Sequence, residues 1–310
     1  MPSRIVIGAT NHAELASAIA GLRPDLDIRH APAADVTAAD LAWGEVYVGF
    51  RPPPLPSMGN VRWVHSTGAG VDPWFYPREL HRGILLTRSS ESFGPAIAEW
   101  ALARALAFSQ ELLDLAGCQG LRAWAPRDIA RLGGTRVLVI GTGDIGRSVA
   151  RVFSAMGCDV HGVSRSGQGD ASVFRSVTPV SALRDVVAPA DWIIVTLPLT
   201  ASTRGLVDRD VLSRCNGAVL MNAGRGAVID EAALPMALDE GWIRGAALDV
   251  FEQEPLPPDS PLWLDSRVMI SPHISGLTTI QGAVDGFLEC LADVERGVTP
   301  RWAVDRDRQY

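Results

Sequence analysis

The sequence predicts an α/β protein built on two doubly wound parallel sheets. Short apolar runs alternate with longer helical patterns from end to end. Most of these runs are nearly continuous in Val, Ile and Leu, the mark of parallel strands buried on both faces. There are about ten of them, too many for one comfortable sheet.

Taken in chain order, the predicted strands are residues 4–8, 46–50, 61–67, 84–87, 136–141, 159–164, 192–197, 218–223, 245–250 and 268–271. The opening MPSRIVIGATNHAELASAIAGLRPD has an apolar run of only a few residues before Asn11 and His12. It reads as a first strand and helix, not a signal peptide. RPPPLP at 51–56 directly follows a strand. It reads as a stiff loop at a sheet edge, with a polyproline ligand as the alternative. The natural break is near Pro95, which suits the first turn of a helix. Residues 96–116 then read as one long helix rich in Ala and Leu. Its Trp100, Phe108 and small residues lie on several faces, which suits packing within the chain or against a second subunit.

Composition narrows the function. At 310 residues, 47% hydrophobic and 20% charged, the chain can bury a large core without a disulfide or a structural metal. A net charge of -7 argues against a nucleic-acid surface. No uncharged apolar stretch approaches the ~18 residues of a membrane span. Cys118, Cys158, Cys215 and Cys290 are scattered, with no C-x-x-C pair. That excludes zinc and thioredoxin-like sites and suits a reducing cytoplasm. There is no lysine, so Schiff-base chemistry and a P-loop lysine are also excluded.

The sharpest local signal is RVLVIGTGDIGRSVARVFSAMGCDVHGVSRS. A buried strand runs into Gly141-Thr142-Gly143-Asp144-Ile145-Gly146, then a helix, then a second strand. Gly141 permits the tight turn, Gly143 lets backbone approach a pyrophosphate, and Gly146 lets helix and strand pack closely. The helix N-terminus offers unpaired N–H donors and partial positive charge to phosphates. This strand–turn–helix–strand context makes the site a Rossmann dinucleotide site. After the second strand stand Ser164-Arg165-Ser166, where an NAD-preferring site carries an acid. A cation between two hydroxyls suits a ribose 2′-phosphate, so NADP is preferred and NAD is the alternative.

Three further strand ends carry polar residues where α/β sheets build ligand sites. AVLMNAGRG places Arg225 between two glycines, which expose it and allow unusual backbone geometry. GAALDVFEQEPLP ends a strand at Asp249 and continues to Glu252 and Glu254, and VMISPHISG carries His273. Arg can grip a carboxylate with two parallel hydrogen bonds, and His can donate a proton near neutrality. A carboxylate on the far ring nitrogen would fix the imidazole tautomer. An Arg, a Glu and a His are the parts needed to reduce a 2-oxo acid. Singly, each also has a plain structural reading.

GTGDIG, TLPLTASTRGLV, MNAGRGAVIDEAAL, GAALDVFEQEPLP and SPHISG occur in this order and spacing. With them the chain resembles the D-isomer-specific 2-hydroxyacid dehydrogenase family, and in particular its glyoxylate/hydroxypyruvate reductase-like branch. The resemblance is strong over 95–276 and looser before. It implies a flavodoxin-like substrate domain from 1–94 with a returning segment 275–310, and a Rossmann cofactor domain at 95–274. It implies Arg225 as substrate-orienting residue, Glu254 as partner of the histidine and His273 as acid/base. It also implies that Asp249 holds the nicotinamide carboxamide, and that Leu197, Pro198 and Ala223 line the cofactor. The backbone N–H groups of Ala69 and Gly70, in STGAGVD, would bind the substrate carboxylate as an anion nest. Arg51, beside Phe50, would face the substrate's side group. Trp74, Phe75 and Tyr76 shape the same pocket or form a hydrophobic plug.

The resulting expectation is a homodimeric NAD(P)H-dependent reductase with no metal, acting on a small 2-oxo acid. Glyoxylate, hydroxypyruvate and phenylpyruvate all fit the residues. Two other readings stand beside it. One is a dehydrogenase of a small anion such as formate or phosphite, on the same fold. The other is a non-catalytic NAD(H)-sensing protein like the corepressors of this fold; intact Arg225, Glu254 and His273 weigh against it.

Overall fold

The structure, a computed structural model, describes residues 2–90 and 93–310. The chain divides into two compact units, Met1–Ser92 with Thr278–Tyr310, and Phe93–Leu277.

The first unit holds five strands: β1 (Arg4–Gly8), β2 (Asp27–Ala31), β3 (Val46–Val48), β4 (Trp63–Ser66) and β5 (Leu85–Arg88). They pair in the order β2-β1-β3-β4-β5, all parallel, which is the flavodoxin-like order. Alternation along β1 splits the core into two layers. Ile5 and Ile7 pack with Leu15 and Ile19 of the helix His12–Leu22 and with Phe287 of the helix Ile280–Glu295. Val6 faces the other layer, with Tyr47, Val64, Trp74, Phe75 and Leu86. Trp74 and Phe75 therefore form the hydrophobic plug.

The second unit holds seven strands: β6 (Arg136–Ile140), β7 (Asp159–Ser164), β8 (Ser176–Pro179), β9 (Trp192–Val195), β10 (Ala218–Asn222), β11 (Ile243–Leu248) and β12 (Val268–Ile270). Their order is β12-β11-β10-β9-β6-β7-β8, all parallel. The chain runs outward from β6 to β8, then resumes on the other side of β6 with β9. Ligands of open α/β sheets bind at such a switch, beyond the strands' carboxyl ends.

Two strands have no counterpart in the sequence reading, β2 and β8. Both are sheet edges, and neither has a fully buried residue. A solvated edge needs no apolar run, so DIRHA and SVTP do not stand out. The expected single helix over 96–116 is also corrected. Helices Gly94–Ser109 and Leu112–Gly120 are separated at Glu111, whose φ is 49°. Residues 127–130 fold back onto the break. Ala130 N donates to Ser109 O at 3.2 Å, and Arg127 Nη1 donates to Glu111 Oε2 at 2.8 Å.

All four cysteines are free thiols. Among the described residues no group of three or more His, Cys, Asp or Glu could hold a metal ion. No helix among them is long and apolar enough to cross a membrane.

Candidate active site

The glycine turn opens at the end of β6. Gly141 has φ +108°, a conformation that side-chain-bearing residues rarely adopt. A Cβ on Gly146 would lie 1.8 Å from Gly141 O, so only glycine lets the helix Asp144–Ala155 start so close to the strand. At Gly143, the helix N-cap, a Cβ would meet nothing within 4 Å. Here the missing side chain leaves open space, not a packing contact. No side chain caps this helix, so its first N–H groups remain as anion donors. The cradle fits a dinucleotide pyrophosphate.

Neighbouring strand ends complete the rim. Leu197, after β9, is pinched between two glycines. A Cβ on Gly141 would approach its Cδ2 to 3.1 Å, and one on Gly224 would reach its carbonyl oxygen at 2.5 Å. Thr203 Oγ1 donates to Pro198 O at 2.6 Å, and Ala223 N donates to Val195 O at 3.1 Å. β7 ends at Ser164, and Arg165 and Ser166 follow, exposed. Ser164 Oγ donates to Gln168 O at 2.9 Å, and Thr142 Oγ1 reaches the same carbonyl at 3.5 Å. The Arg165 turn is thereby tied to the glycine turn.

Arg225 follows β10. Asn222 builds its loop, with Nδ2 donating to Arg225 O at 3.0 Å and Oδ1 accepting from Gly224 N at 3.1 Å. The flanking glycines serve packing and not unusual backbone angles, a correction to the sequence reading. Neither has positive φ, but a Cβ on Gly226 would lie 1.8 Å from the carbonyl carbon of Phe251. That close approach brings half-buried Arg225 up to the segment carrying Glu254. Arg225 Nη1 also donates to Gly224 O at 2.8 Å.

Glu254 and His273 form a direct pair, with Oε2 2.8 Å from Nδ1. Oε1 accepts from Phe251 N at 3.1 Å. Burial pushes the Glu254 carboxyl up, but the bond to His273, the Phe251 amide and the charges of His273 and Arg225 outweigh it. The carboxyl is held below its ordinary value. A carboxylate at Nδ1 places a proton there and leaves Nε2 to act on a substrate.

Asp249 is fully buried. Its Oδ1 accepts from Ser271 Oγ at 2.6 Å and Ile274 N at 3.0 Å, and its Oδ2 from Ser275 N at 2.8 Å. Its carbonyl accepts from His273 N at 2.8 Å. The role it displays is to anchor the loop that holds His273 at φ 54°. Trp100 Nε1 extends the anchor by donating to Ser271 Oγ at 2.9 Å. Asn222, Ser271 and Trp100 had no role assigned from sequence. For Asn222 and Ser271 the available signal was a polar residue directly ending or following an otherwise apolar strand; Trp100, inside a helix, had none.

The remaining sequence candidates lie in the first unit. Arg51 is exposed, and its carbonyl accepts from Tyr47 Oη at 3.1 Å. Ala69 and Gly70 are half-buried in the turn after β4. So the structure joins Arg225, Glu254 and His273 in one unit, with the glycine turn, and places Arg51, Ala69 and Gly70 in the other.

A family model described as D-isomer specific 2-hydroxyacid dehydrogenase, NAD binding domain, matches residues 102–275. The chain belongs to the D-isomer specific 2-hydroxyacid dehydrogenase family. As such it is an NAD(P)-dependent oxidoreductase, and the matched residues contain both the glycine cradle and the Glu254–His273 pair. Glyoxylate/hydroxypyruvate reductase A of Serratia proteamaculans (strain 568) is 33% identical over 267 residues, 83% of this chain and 84% of that protein. A solved D-isomer specific 2-hydroxyacid dehydrogenase from Xanthobacter autotrophicus Py2, in complex with NADPH and MES, is 31% identical. It superposes with a TM-score of 0.91 over 100% of each chain. The NADPH-dependent glyoxylate/hydroxypyruvate reductase of Sinorhizobium meliloti, in complex with NADP and sulfate, is 26% identical, with a TM-score of 0.89 over 99% of each chain.

Proposed function

We propose that this 2-hydroxyacid dehydrogenase reduces a small 2-oxo acid to the D-2-hydroxy acid, with NADPH preferred and NADH possible. The observation that carries the reading is the Glu254–His273 pair, which commits Nδ1 and leaves Nε2 available. NADPH, when bound, supplies the hydride to C2. His273 gives its Nε2 proton to the oxygen that becomes the hydroxyl, and Glu254 stabilises the charged ring before transfer. Arg225 orients the carbonyl and carboxylate with its planar donors. The Ala69 and Gly70 amides take a carboxylate oxygen, and Arg51 faces the substrate's side group. The glycine turn, Leu197, Pro198 and Ala223 hold the cofactor.

Two observations support NADPH. Arg165 stands where an NAD-preferring site carries an acid, and both relatives of known structure described above carry NADP or NADPH. Arg165→Ala is expected to raise KM for NADPH about tenfold or more and to leave KM for NADH nearly unchanged. An unchanged NADPH preference would defeat the assignment. The function itself is tested by following NADPH absorbance with glyoxylate, hydroxypyruvate, phenylpyruvate, formate and phosphite. Consumption with the 2-oxo acids supports the reading; binding without turnover across the panel overturns it. We place the enzyme in a reducing cytoplasm, as a homodimer.

A further inference from the structure

We propose that Arg88 and Ser66 are positioning residues for substrate binding: they aim the Ala69 and Gly70 amides at the substrate carboxylate. The proposal rests on the reductase reading above and adds two residues to which the resemblance gave no role.

Ser66 ends β4 and Arg88 ends β5, and the two are register partners in adjacent parallel strands. Partners of this kind place their side chains on the same face of the sheet. Both reach the turn 67–70. Arg88 Nη1 donates to Ala69 O at 2.9 Å. Ser66 is fully buried, and its Oγ lies 3.4 Å from Gly68 O and 3.5 Å from Gly70 O.

The consequence follows from peptide geometry. In a planar trans peptide the C=O of one residue and the N–H of the next point in opposite directions. Ala69 O shares a peptide with Gly70 N, and Gly68 O shares one with Ala69 N. The cis bonds lie elsewhere, at Tyr76-Pro77 and Glu254-Pro255. Holding Ala69 O against Arg88 therefore turns the Gly70 N–H to the opposite side of the turn. Holding Gly68 O near Ser66 does the same for the Ala69 N–H. Neither amide donates to another group among the described residues. Two consecutive unpaired amides on one side of a turn make an anion-binding concavity.

Two further contacts stiffen the turn. A Cβ on Gly68 would lie 2.8 Å from the Phe50 ring, so the ring packs against bare backbone there. Ser89 N donates to Ser66 O at 2.9 Å, tying the ends of β4 and β5 together. The Arg88 guanidinium also places a permanent positive charge behind the turn, which favours an anion over a neutral ligand.

Steady-state kinetics of the full chain with glyoxylate, hydroxypyruvate and NADPH test this. Arg88→Met is expected to raise KM for the 2-oxo acid about tenfold or more while kcat stays within about threefold, the signature of lost uniform binding. KM for NADPH stays unchanged. Arg88→Lys, which keeps the charge and a donor, recovers part of the loss, and Ser66→Ala shows the same split at smaller size. If Arg88→Met fails to fold, Ser66→Ala and Arg88→Lys decide. An unchanged KM for the 2-oxo acid in these variants overturns the proposal and leaves the reductase reading intact. A joint loss of kcat and NADPH binding marks a general structural defect and also overturns it. A wild-type protein that reduces no 2-oxo acid overturns both readings.

Discussion

At the scale of single residues, Glu254 feels opposed influences. Burial raises its carboxyl, while His273, the Phe251 amide and Arg225 lower it, and the lowering wins. A carboxylate held below its ordinary 4.5 stays ionised as the pH falls through that value. The stability it contributes is present above the unfolded-state value and is lost only as pH drops through the folded one. The pair with His273 is thus intact throughout the neutral and mildly acid range. With the Glu254 carboxylate kept ionised, no steep fall in kcat is expected as pH goes from about 7 to about 5. His273→Asn should lower kcat about 10²- to 10⁴-fold and leave the affinity for NADPH unchanged. A steep fall in wild-type kcat over that acid range would show that Glu254 is losing its charge there.

At the scale of elements, the site depends on how closely strand ends approach one another. Gly226 is the clearest case. Its missing Cβ would overlap the Phe251 backbone at 1.8 and 2.1 Å, and backbone cannot swing aside as a long side chain can. Gly226→Ala must push the Arg225 turn away from the Glu254 segment. About a hundredfold loss in kcat/KM is expected, because small misplacements of reacting groups are costly. A lowered melting temperature should accompany it, both read on the same preparation. MNAGRGAVIDEAAL already marks Arg225 in the sequence. What it hides is the reason for its glycines, since close packing against Phe251 is made across twenty-five positions of chain. The edge strands β2 and β8 were hidden for a related reason, since half their pairing face is solvent and their residues need not be apolar. Glu111 carries no glycine or proline signal, and Arg127 and Ala130 fold back onto its turn.

At the scale of the whole molecule, two features bear on stability and assembly. His65 is fully buried in β4, with Nδ1 2.8 Å from Thr87 Oγ1 and Nε2 3.1 Å from Ser89 Oγ. Burial pushes its pKa down to about 3. The unfolded chain therefore binds a proton here that the folded one does not, and stability falls as pH drops from about 6.5 toward 3. His65→Gln should reduce by about one the protons taken up on unfolding in that window, measured from denaturant midpoints against pH. The second feature is an exposed apolar arm: Leu112, Leu113, Leu115, Leu121, Trp124 and Ile129 all lie open, Trp124 at 95%. Six large apolar side chains exposed within eighteen residues of chain are what the proposed homodimer would cover. Leu113→Glu combined with Trp124→Glu should convert dimer to monomer in analytical ultracentrifugation; a wild-type monomer would remove the proposal.

Local sequence alone determined the two-sheet α/β class, ten of the strands and the glycine turn, and it marked the Arg, Glu and His as candidates. Each is written in a short stretch, as an apolar run or a motif within a few residues of a strand end. The resemblance already paired Glu254 with the histidine; only the tertiary structure decided that the atoms that meet are Oε2 and Nδ1, that Asp249 anchors the histidine loop, and that Ser66 and Arg88 hold the turn before Gly70. Those arrangements join residues from separate strands, and the distance between two strand ends is set by sheet order and register, which periodicity along the chain does not encode.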